Sequence, residues 1–176
     1  MGRVWIGVLA LVVSALSLRA GESLSVSFAW PQRQSPSPDG IPATDDPFRS
    51  LSNSNAIPVL LRNDSGQPLR LVNADGSRGY ANLSFRIDLD NGKSVSIRKK
   101  EVFAWAANPL YFWLLQPGET FVLEVKLYDG SWAWDEAVLR GQRGTMVPVY
   151  EETAFGGQKA LVWTGHAEGK GVPVQF

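Results

Sequence analysis

Residues 83–97, with the sequence LSFRIDLDNGKSVSI, show the most regular strand pattern in this 176-residue chain. Apolar residues occupy every second position from Leu83 to Leu89, and Val95 and Ile97 repeat the pattern after the turn. A period of two places apolar side chains on one face of a strand, and Asn-Gly between two such runs indicates a hairpin. The segment therefore predicts an antiparallel hairpin with one buried face.

The same pattern predicts the length of the turn. A two-residue loop would place Ile87 opposite Ser96, whereas a three-residue loop ending at Gly92 places Ile87 opposite Val95. Only the second keeps a single apolar face, because a slip of one residue inverts every side chain. We therefore predict a type I turn closed by a bulge, with Gly92 in the left-handed region.

Alternating runs recur on both sides of the hairpin. They predict further strands at Leu24–Trp30, Ile57–Leu61, Leu69–Leu71, Phe121–Leu127, Thr145–Glu151, Ala160–Gly165 and Val172–Phe176. Four Asx-Gly turns among short strands are typical of antiparallel sandwiches rather than of alternating βα units. The predicted fold is all-β, an antiparallel Ig-like β-sandwich of about seven to nine strands. It forms a single domain over residues 21–176.

Three segments interrupt this pattern. The Pro- and Ser-rich stretch from Pro31 to Asn55 predicts a long exposed loop, a length that is unusual within a domain unless it is functional. Residues 132–139 predict one helical turn at most. The basic run Arg98–Lys100 lies at a strand end, where lysine protects an edge strand from pairing with another chain.

The amino-terminal residues have the layout of a secretory signal peptide. Arg3 precedes an apolar run from Val4 to Leu18, and small residues lead to Ala20. The run is shorter than the roughly 20 residues of a membrane-spanning helix. We expect cleavage after Ala20, with Ala15 as the alternative site and an uncleaved anchor as the other interpretation. The expected location is secreted or periplasmic, with no stable membrane span in the mature chain.

Composition narrows the classes of partner. Removing Arg3 and Arg19 from the 17 basic residues leaves 15 against 17 acidic ones, a net charge near −2. Such a chain lacks the basic excess that neutralises phosphates, so no nucleic acid partner is expected. The chain has no cysteine, which excludes disulfides and a lipid-modified cysteine anchor.

The residues that carry catalysis are scarce. His166 is the one histidine, no cysteine nucleophile exists, and no serine lies in a G-x-S-x-G elbow. Zinc sites take three or four N or S ligands, and Asp88–Gly92 departs from the spacing of a calcium loop. We therefore expect no enzyme, no cofactor and no metal site, and we interpret His166 as a strand-end residue.

Aromatic residues provide the candidate binding site. Trp132 and Trp134 are two apart, so they lie on one face of an extended segment, framed by Asp129, Asp135 and Glu136. Flat rings beside carboxylates suit a sugar ring or a peptide groove. The alternative is core packing, because burying an aromatic ring removes about 150–250 Å² from water. The candidate ligand-binding residues are Trp132, Trp134 and Asp129.

Turn and strand-start motifs carry a resemblance to known proteins. They are Asn63–Gly66 before Leu69 and Leu71, then Asn91-Gly92, then Leu115–Glu119, and Val162–Gly165 near the end. Over Ile57–Tyr128 the chain resembles the Ig-like sandwich of BsuPI-type intracellular proteinase inhibitors. It also resembles small exported Ig-like proteins of environmental bacteria. The resemblance implies an Ig-like sandwich and a proteinase-inhibitor activity. The export signal departs from the intracellular location of those inhibitors.

These observations lead to one expected function and two alternatives. The expectation is an exported, non-catalytic Ig-like module that binds a protein or glycan of the cell envelope or exterior, or serves a structural role there. The first alternative is a proteinase-inhibitor-like module presenting a rigid loop from Pro31–Asn55. The second is a carbohydrate-binding domain that uses Trp132 and Trp134.

Overall fold

The computed structural model describes residues 24–30, 49–51, 56–73, 79, 81–100, 112–153 and 162–176. The predicted signal peptide, its cleavage sites and most of the loop over residues 31–55 lie outside these ranges.

Strands account for most of the regular structure in the described ranges. In chain order the elements are β1 (Leu24–Phe28), β2 (Arg49–Ser50), β3 (Ile57–Asn63), β4 (Leu69–Val72), β5 (Leu83–Leu89), β6 (Ser94–Lys99), β7 (Phe112–Leu115), β8 (Thr120–Val125), β9 (Trp132–Ala133), α1 (Glu136–Leu139), β10 (Arg143–Glu152), β11 (Gly165–Glu168) and β12 (Val172–Gln175). The largest sheet has the order β2-β12-β10-β5-β6-β9, with β11 also paired to β10. A second sheet is β1-β3-β8, and β4 pairs with β7. The fold is an all-β, sandwich-like arrangement of antiparallel sheets, as the sequence predicted.

Alternation buries one face of each main strand. In β3 and β5 every second residue is buried, and Val59, Leu61, Phe85 and Ile87 have no exposed surface. The rings of Phe28 on β1 and Phe85 on β5 stack with centroids 6.0 Å apart, so the second sheet packs against the largest one. The core lies between these two sheets.

The hairpin of β5 and β6 confirms the predicted register. Ile87 lies opposite Val95, and the Leu89 N–H donates to the Lys93 carbonyl at 2.8 Å, which leaves a three-residue loop. Gly92 closes that loop with φ of 83°. A side chain rarely adopts this left-handed conformation, so the turn depends on glycine.

Two strand predictions needed correction. Residues 160 and 161 of the strand expected over Ala160–Gly165 lie outside the described ranges. Among residues 162–165 only Gly165 belongs to a strand, because the Trp163 N–H donates to the Arg70 carbonyl and holds that segment against β4. Strand β7 was not predicted, since Phe112–Leu115 is apolar throughout and has no alternation. Together with the two-residue strands β2 and β9, it raises the strand count above the expected seven to nine.

One part of the expected exposed loop is docked on the sheet. Strand β2 pairs in parallel with β12, and the Leu51 N–H donates to the Gln175 carbonyl at 3.1 Å. Leu51 itself is only 9% exposed and belongs to the core. The prediction that residues 31–55 are all exposed is therefore wrong for residue 51, because an apolar side chain anchors the segment there.

Asn63 organises the passage from β3 to β4. Its buried side chain donates to the Gln67 and Leu115 carbonyls at 2.8 and 2.9 Å, and its Oδ1 accepts the Ser65 N–H at 2.9 Å. A buried amide is tolerated when its hydrogen bonds are made. Asn63 thus fixes the turn that the sequence marked as Asn63–Gly66, and ties it to the end of β7.

The one helical turn predicted within residues 132–139 is present as α1. Asp135 caps it, with Oδ1 accepting the N–H groups of Ala137 and Val138 at 3.1 and 3.3 Å. No helix in the described ranges has the length and apolar character needed to cross a bilayer.

Candidate functional site: the polar face of the large sheet

A depression of about 330 Å³ lies on the outer face of β6, β5, β10 and β11. We call it the polar groove. Its charged lining residues are Arg86, Arg98, Glu151, His166 and Glu168, and serines of β5 and β6 complete the walls. All of them stand on strands, so the groove has a rigid frame.

Strand register explains why these residues meet. Val149 on β10 lies opposite Glu168 on β11 and opposite Ser84 on β5. Continuing the β5–β6 register by one residue from Phe85 and Ile97 places Arg98 beside Ser84. Three strand spacings therefore separate the backbones of Arg98 and Glu168, roughly 14 Å across the sheet. The groove carries a cation at its β6 side and carboxylates at its β11 side.

An ion pair crosses the groove. Arg86 donates from Nη1 and Nη2 to the two carboxylate oxygens of Glu168 at 2.6 and 2.9 Å. Its Nε donates to Asp88 at 3.1 Å, and the Ser94 hydroxyl donates to the same carboxylate at 2.7 Å. The hydrogen bond from Arg86 lowers the pKa of Glu168, and the bond from Ser94 lowers that of Asp88. Both carboxylates are therefore held ionised.

This ion pair also spans apolar surface on β10. Arg86 stands on β5 and Glu168 on β11, so the pair bridges over β10, which lies between them. Val147 and Val149 on the outer face of β10 are only 5% and 8% exposed. A long arginine stem covers apolar surface in this way while its charged head stays in water.

His166 lies between two carboxylates at the β11 side. Its Nδ1 is 4.0 Å from Glu151, its register partner, and its Nε2 is 3.8 Å from Glu168. The imidazole is about half exposed, at 54%. His166 is the second residue of β11, in keeping with its interpretation as a strand-end residue.

The aromatic residues proposed as a binding site lie elsewhere. Trp132 is 3% exposed, packs 5.4 Å from the Phe85 ring, and is covered by the Lys99 ammonium 4.2 Å above it. Trp134 is half-buried and contacts the Tyr128 ring edge-on at 5.5 Å. For Trp132 the structure agrees with the core-packing alternative, because burial in the core removes its large apolar surface from water.

The carboxylates around these tryptophans have local structural roles. Asp129 accepts the N–H and hydroxyl of Ser131 at 2.8 and 2.5 Å. Burial opposes ionisation, yet these bonds hold the pKa of Asp129 below its ordinary value. Asp135 caps α1, and Glu136 pairs with Arg140 at 2.8 Å. The structure therefore does not bring Asp129 and the two rings together as one open surface.

The sequence predicts one wall of the polar groove but not the other. The alternation placed Ser84 and Arg86 on one face with Ser96 and Arg98, so the β5–β6 wall was predictable. The other wall needs β10 between β5 and β11, and no sequence pattern specified that neighbour relation.

Comparisons with known proteins add no relative. No protein-family model, no curated protein and no solved structure gives a significant match to the chain. In the part of the chain that the structure describes, no group of three or more His, Asp or Glu side chains could hold a metal ion.

Proposed function

We propose that the protein is an exported, non-catalytic binding module that holds a protein ligand of the cell envelope or exterior in the polar groove. The observation that carries the proposal is the groove itself, a strand-framed depression with charges of both signs around Val95 and Val149. Protein–protein interfaces likewise combine an apolar centre with a polar rim.

The charges of Arg86 and Glu168 suit recognition better than proton transfer. A general acid or base works best when its pKa lies near the operating pH. The hydrogen bonds with Arg86 instead lower the pKa of Glu168 and raise that of the Arg86 guanidinium. Both groups therefore keep a constant charge over the physiological range, as a fixed wall of a binding site does.

A protein ligand fits the groove better than a sugar. Arg98 is exposed and bonds to the Ser96 hydroxyl at 2.8 Å, and it has no carboxylate partner among the described residues. Across the groove, Glu151 has only His166 near it within those ranges. A peptide segment with an acidic and a basic side chain would satisfy both. The glycan alternative depends on stacking at Trp132, which is buried.

Export is the second part of the proposal. Its support is the charged start, the apolar run Val4–Leu18 and the small residue Ala20. Sequencing the amino terminus of the protein recovered outside the cytoplasm tests it directly. A chain beginning at Gly21 supports export with cleavage, and a chain still carrying Met1 in the cytoplasm contradicts it.

Comparative affinity capture tests the groove. The purified protein and an Arg98→Glu, Glu151→Lys double variant are immobilised and exposed to the envelope fraction of the parent cell. We expect at least one captured protein whose recovery falls tenfold or more with the double variant. Reversing both charges keeps their number and places repulsion where the proposed ligand has attraction.

An Arg62→Glu variant is the matched control for this capture. Arg62 is exposed on the other sheet and pairs with Asp64 at 2.8 Å, so its reversal changes surface charge away from the groove. Recovery should stay at the level of the unchanged protein. A ligand lost equally with both variants, or retained with both, would exclude the groove as the binding site.

A further inference from the structure

Strand β8 has one open edge. The Asn63 N–H donates to the Glu119 carbonyl, so Phe121, Leu123 and the other odd-numbered residues of β8 direct their backbone groups toward β3. The even-numbered residues point away from it. Across the described part of the chain, the N–H and C=O groups of these residues have no partner: Thr120, Val122 and Glu124.

The side chains along this edge are apolar at the centre. Val122 is 51% exposed and lies opposite the half-buried Leu60 on β3. Thr120 and Glu124 flank it on the same face, since side chains two apart share a face. The edge therefore presents an exposed valine between two polar residues.

The β6 side of the large sheet is protected against such pairing, and the β8 edge is not. Along β6 and its flanks the exposed residues Lys93, Arg98 and Lys100 carry positive charge, and β9 covers its last two residues. Lysine on an edge strand discourages pairing with another chain. Residues 120–125 contain no lysine, arginine or proline, the residues that would block such pairing.

We propose that β8 pairs antiparallel with β8 of a second copy of this chain, around a two-fold axis at Val122. The sequence of the edge is complementary to itself in that register. Val122 lies opposite the partner's Val122, and Thr120 lies opposite the partner's Glu124. The Thr120 hydroxyl donates a hydrogen bond to that carboxylate. Two-fold, self-complementary contacts are the most common form of homo-oligomer.

The geometry of the pairing is favourable for backbone and charge. Three residue pairs in the hydrogen-bonded position exchange about six backbone hydrogen bonds. The second sheet of each copy joins into one sheet of six strands, with Leu60 and Val122 of both copies in a row across it. The two Glu124 carboxylates stand four residues apart along the strands, roughly 13 Å, so they do not repel strongly.

The dimer is expected to be weak and to leave the polar groove free. One strand pair buries less than the roughly 1,600 Å² of a standard interface, so a dissociation constant of about 100 μM is expected. Strand β8 belongs to the second sheet, whereas the groove lies on the large sheet. The dimer therefore does not depend on the proposed function.

Analytical ultracentrifugation of the purified protein between about 1 μM and 1 mM tests the proposal. We expect the weight-average mass to rise toward that of a dimer over this range. Val122→Lys should remain monomeric throughout, because it places two ammonium groups face to face. Val138→Lys, on α1, replaces another exposed apolar residue and should dimerise like the unchanged protein.

Amide hydrogen exchange identifies the edge itself. In concentrated protein the N–H groups of Thr120, Val122 and Glu124 should exchange more slowly than in dilute protein, with no such change in Val122→Lys. A thermal unfolding curve confirms that Val122→Lys is folded. A monomer at 1 mM, or a dimer insensitive to Val122→Lys, overturns the proposal. Protection of these amides without self-association also overturns it.

Discussion

The side chains of three residues form a polar cluster inside the apolar core: Asn82, Tyr150 and Glu152. Glu152 is 4% exposed and accepts a hydrogen bond from the Asn82 side chain, which also donates to the Tyr150 hydroxyl at 3.4 Å. Burial raises the pKa of Tyr150 to about 12. It also raises that of Glu152 above 4.5. The fold thus favours the neutral form of both groups.

Glu152 should make the protein less stable as pH rises. Between 4.5 and its raised pKa, the folded protein keeps a proton on Glu152 that the unfolded chain releases, so the free energy of unfolding falls through this window. Glu152→Gln keeps an acceptor for Asn82 without the charge. We expect it to unfold at higher denaturant concentration than the unchanged protein at pH 8. Each pKa unit corresponds to about 1.4 kcal/mol.

Urea titrations from pH 4 to pH 9 measure the difference between variant and unchanged protein. Glu151→Gln is the control, because Glu151 is the neighbouring residue on the opposite, solvent-facing side of β10. Its curve should follow the unchanged protein. A Glu152→Gln curve that parallels the unchanged protein at every pH would show that folding does not raise the pKa of Glu152.

At the scale of elements, the turn between β11 and β12 fits tightly against β1. A Cβ on Gly169 would collide with the Val26 carbonyl and lie 2.8 Å from the Pro148 ring. The Gly169 N–H also donates to the Pro148 carbonyl at 2.9 Å. Only glycine lets these backbones approach so closely, and the contact joins the two main sheets.

Gly169→Ala should therefore destabilise the protein. Overpacking of this kind costs about 1–3 kcal/mol, because β1 or the turn must shift. Gly66→Ala is the matched control, since nothing lies within 4 Å of a Cβ at that position. Thermal unfolding should show a lower midpoint for Gly169→Ala alone. Equal midpoints for the two variants would mean that β1 shifts to accommodate the added methyl group without loss of stability.

Local patterns predicted most of the strands, but they predicted a strand pairing only where the two partners are close in sequence. The β5–β6 register followed from residues 83–97, because alternation and a three-residue loop determine it together. Strand β7 carries no alternation, so it could be recognised only beside β4. The polar groove was missed for the same reason, since Glu168 meets Arg86 only once β10 lies between their strands.

At the scale of the whole molecule, the proposed dimer would present two polar grooves. They lie on the large sheets, which face away from the shared second sheet. A ligand with two copies of the recognised segment would bind more tightly than either groove alone allows, provided that its linker spans both sites. Weak self-association would therefore increase the apparent affinity for a ligand that is repeated on the surface to which the protein binds.

The topology also predicts the speed of folding. Ile57 pairs with Val125, and Leu83 pairs with Tyr150, so the main strand pairings join distant parts of the chain. Sandwiches dominated by such pairings fold in milliseconds to seconds, because the chain loses loop-closure entropy before the long-range contacts stabilise it. Stopped-flow refolding in dilute protein, followed by tryptophan fluorescence, should show its main phase in this range.

Gly92→Ala strains the local hairpin turn, where φ is 83°, and should accelerate unfolding more than it slows folding. A main phase faster than about 1 ms, or a Gly92→Ala effect confined to the folding rate, would show that the local hairpin limits folding instead.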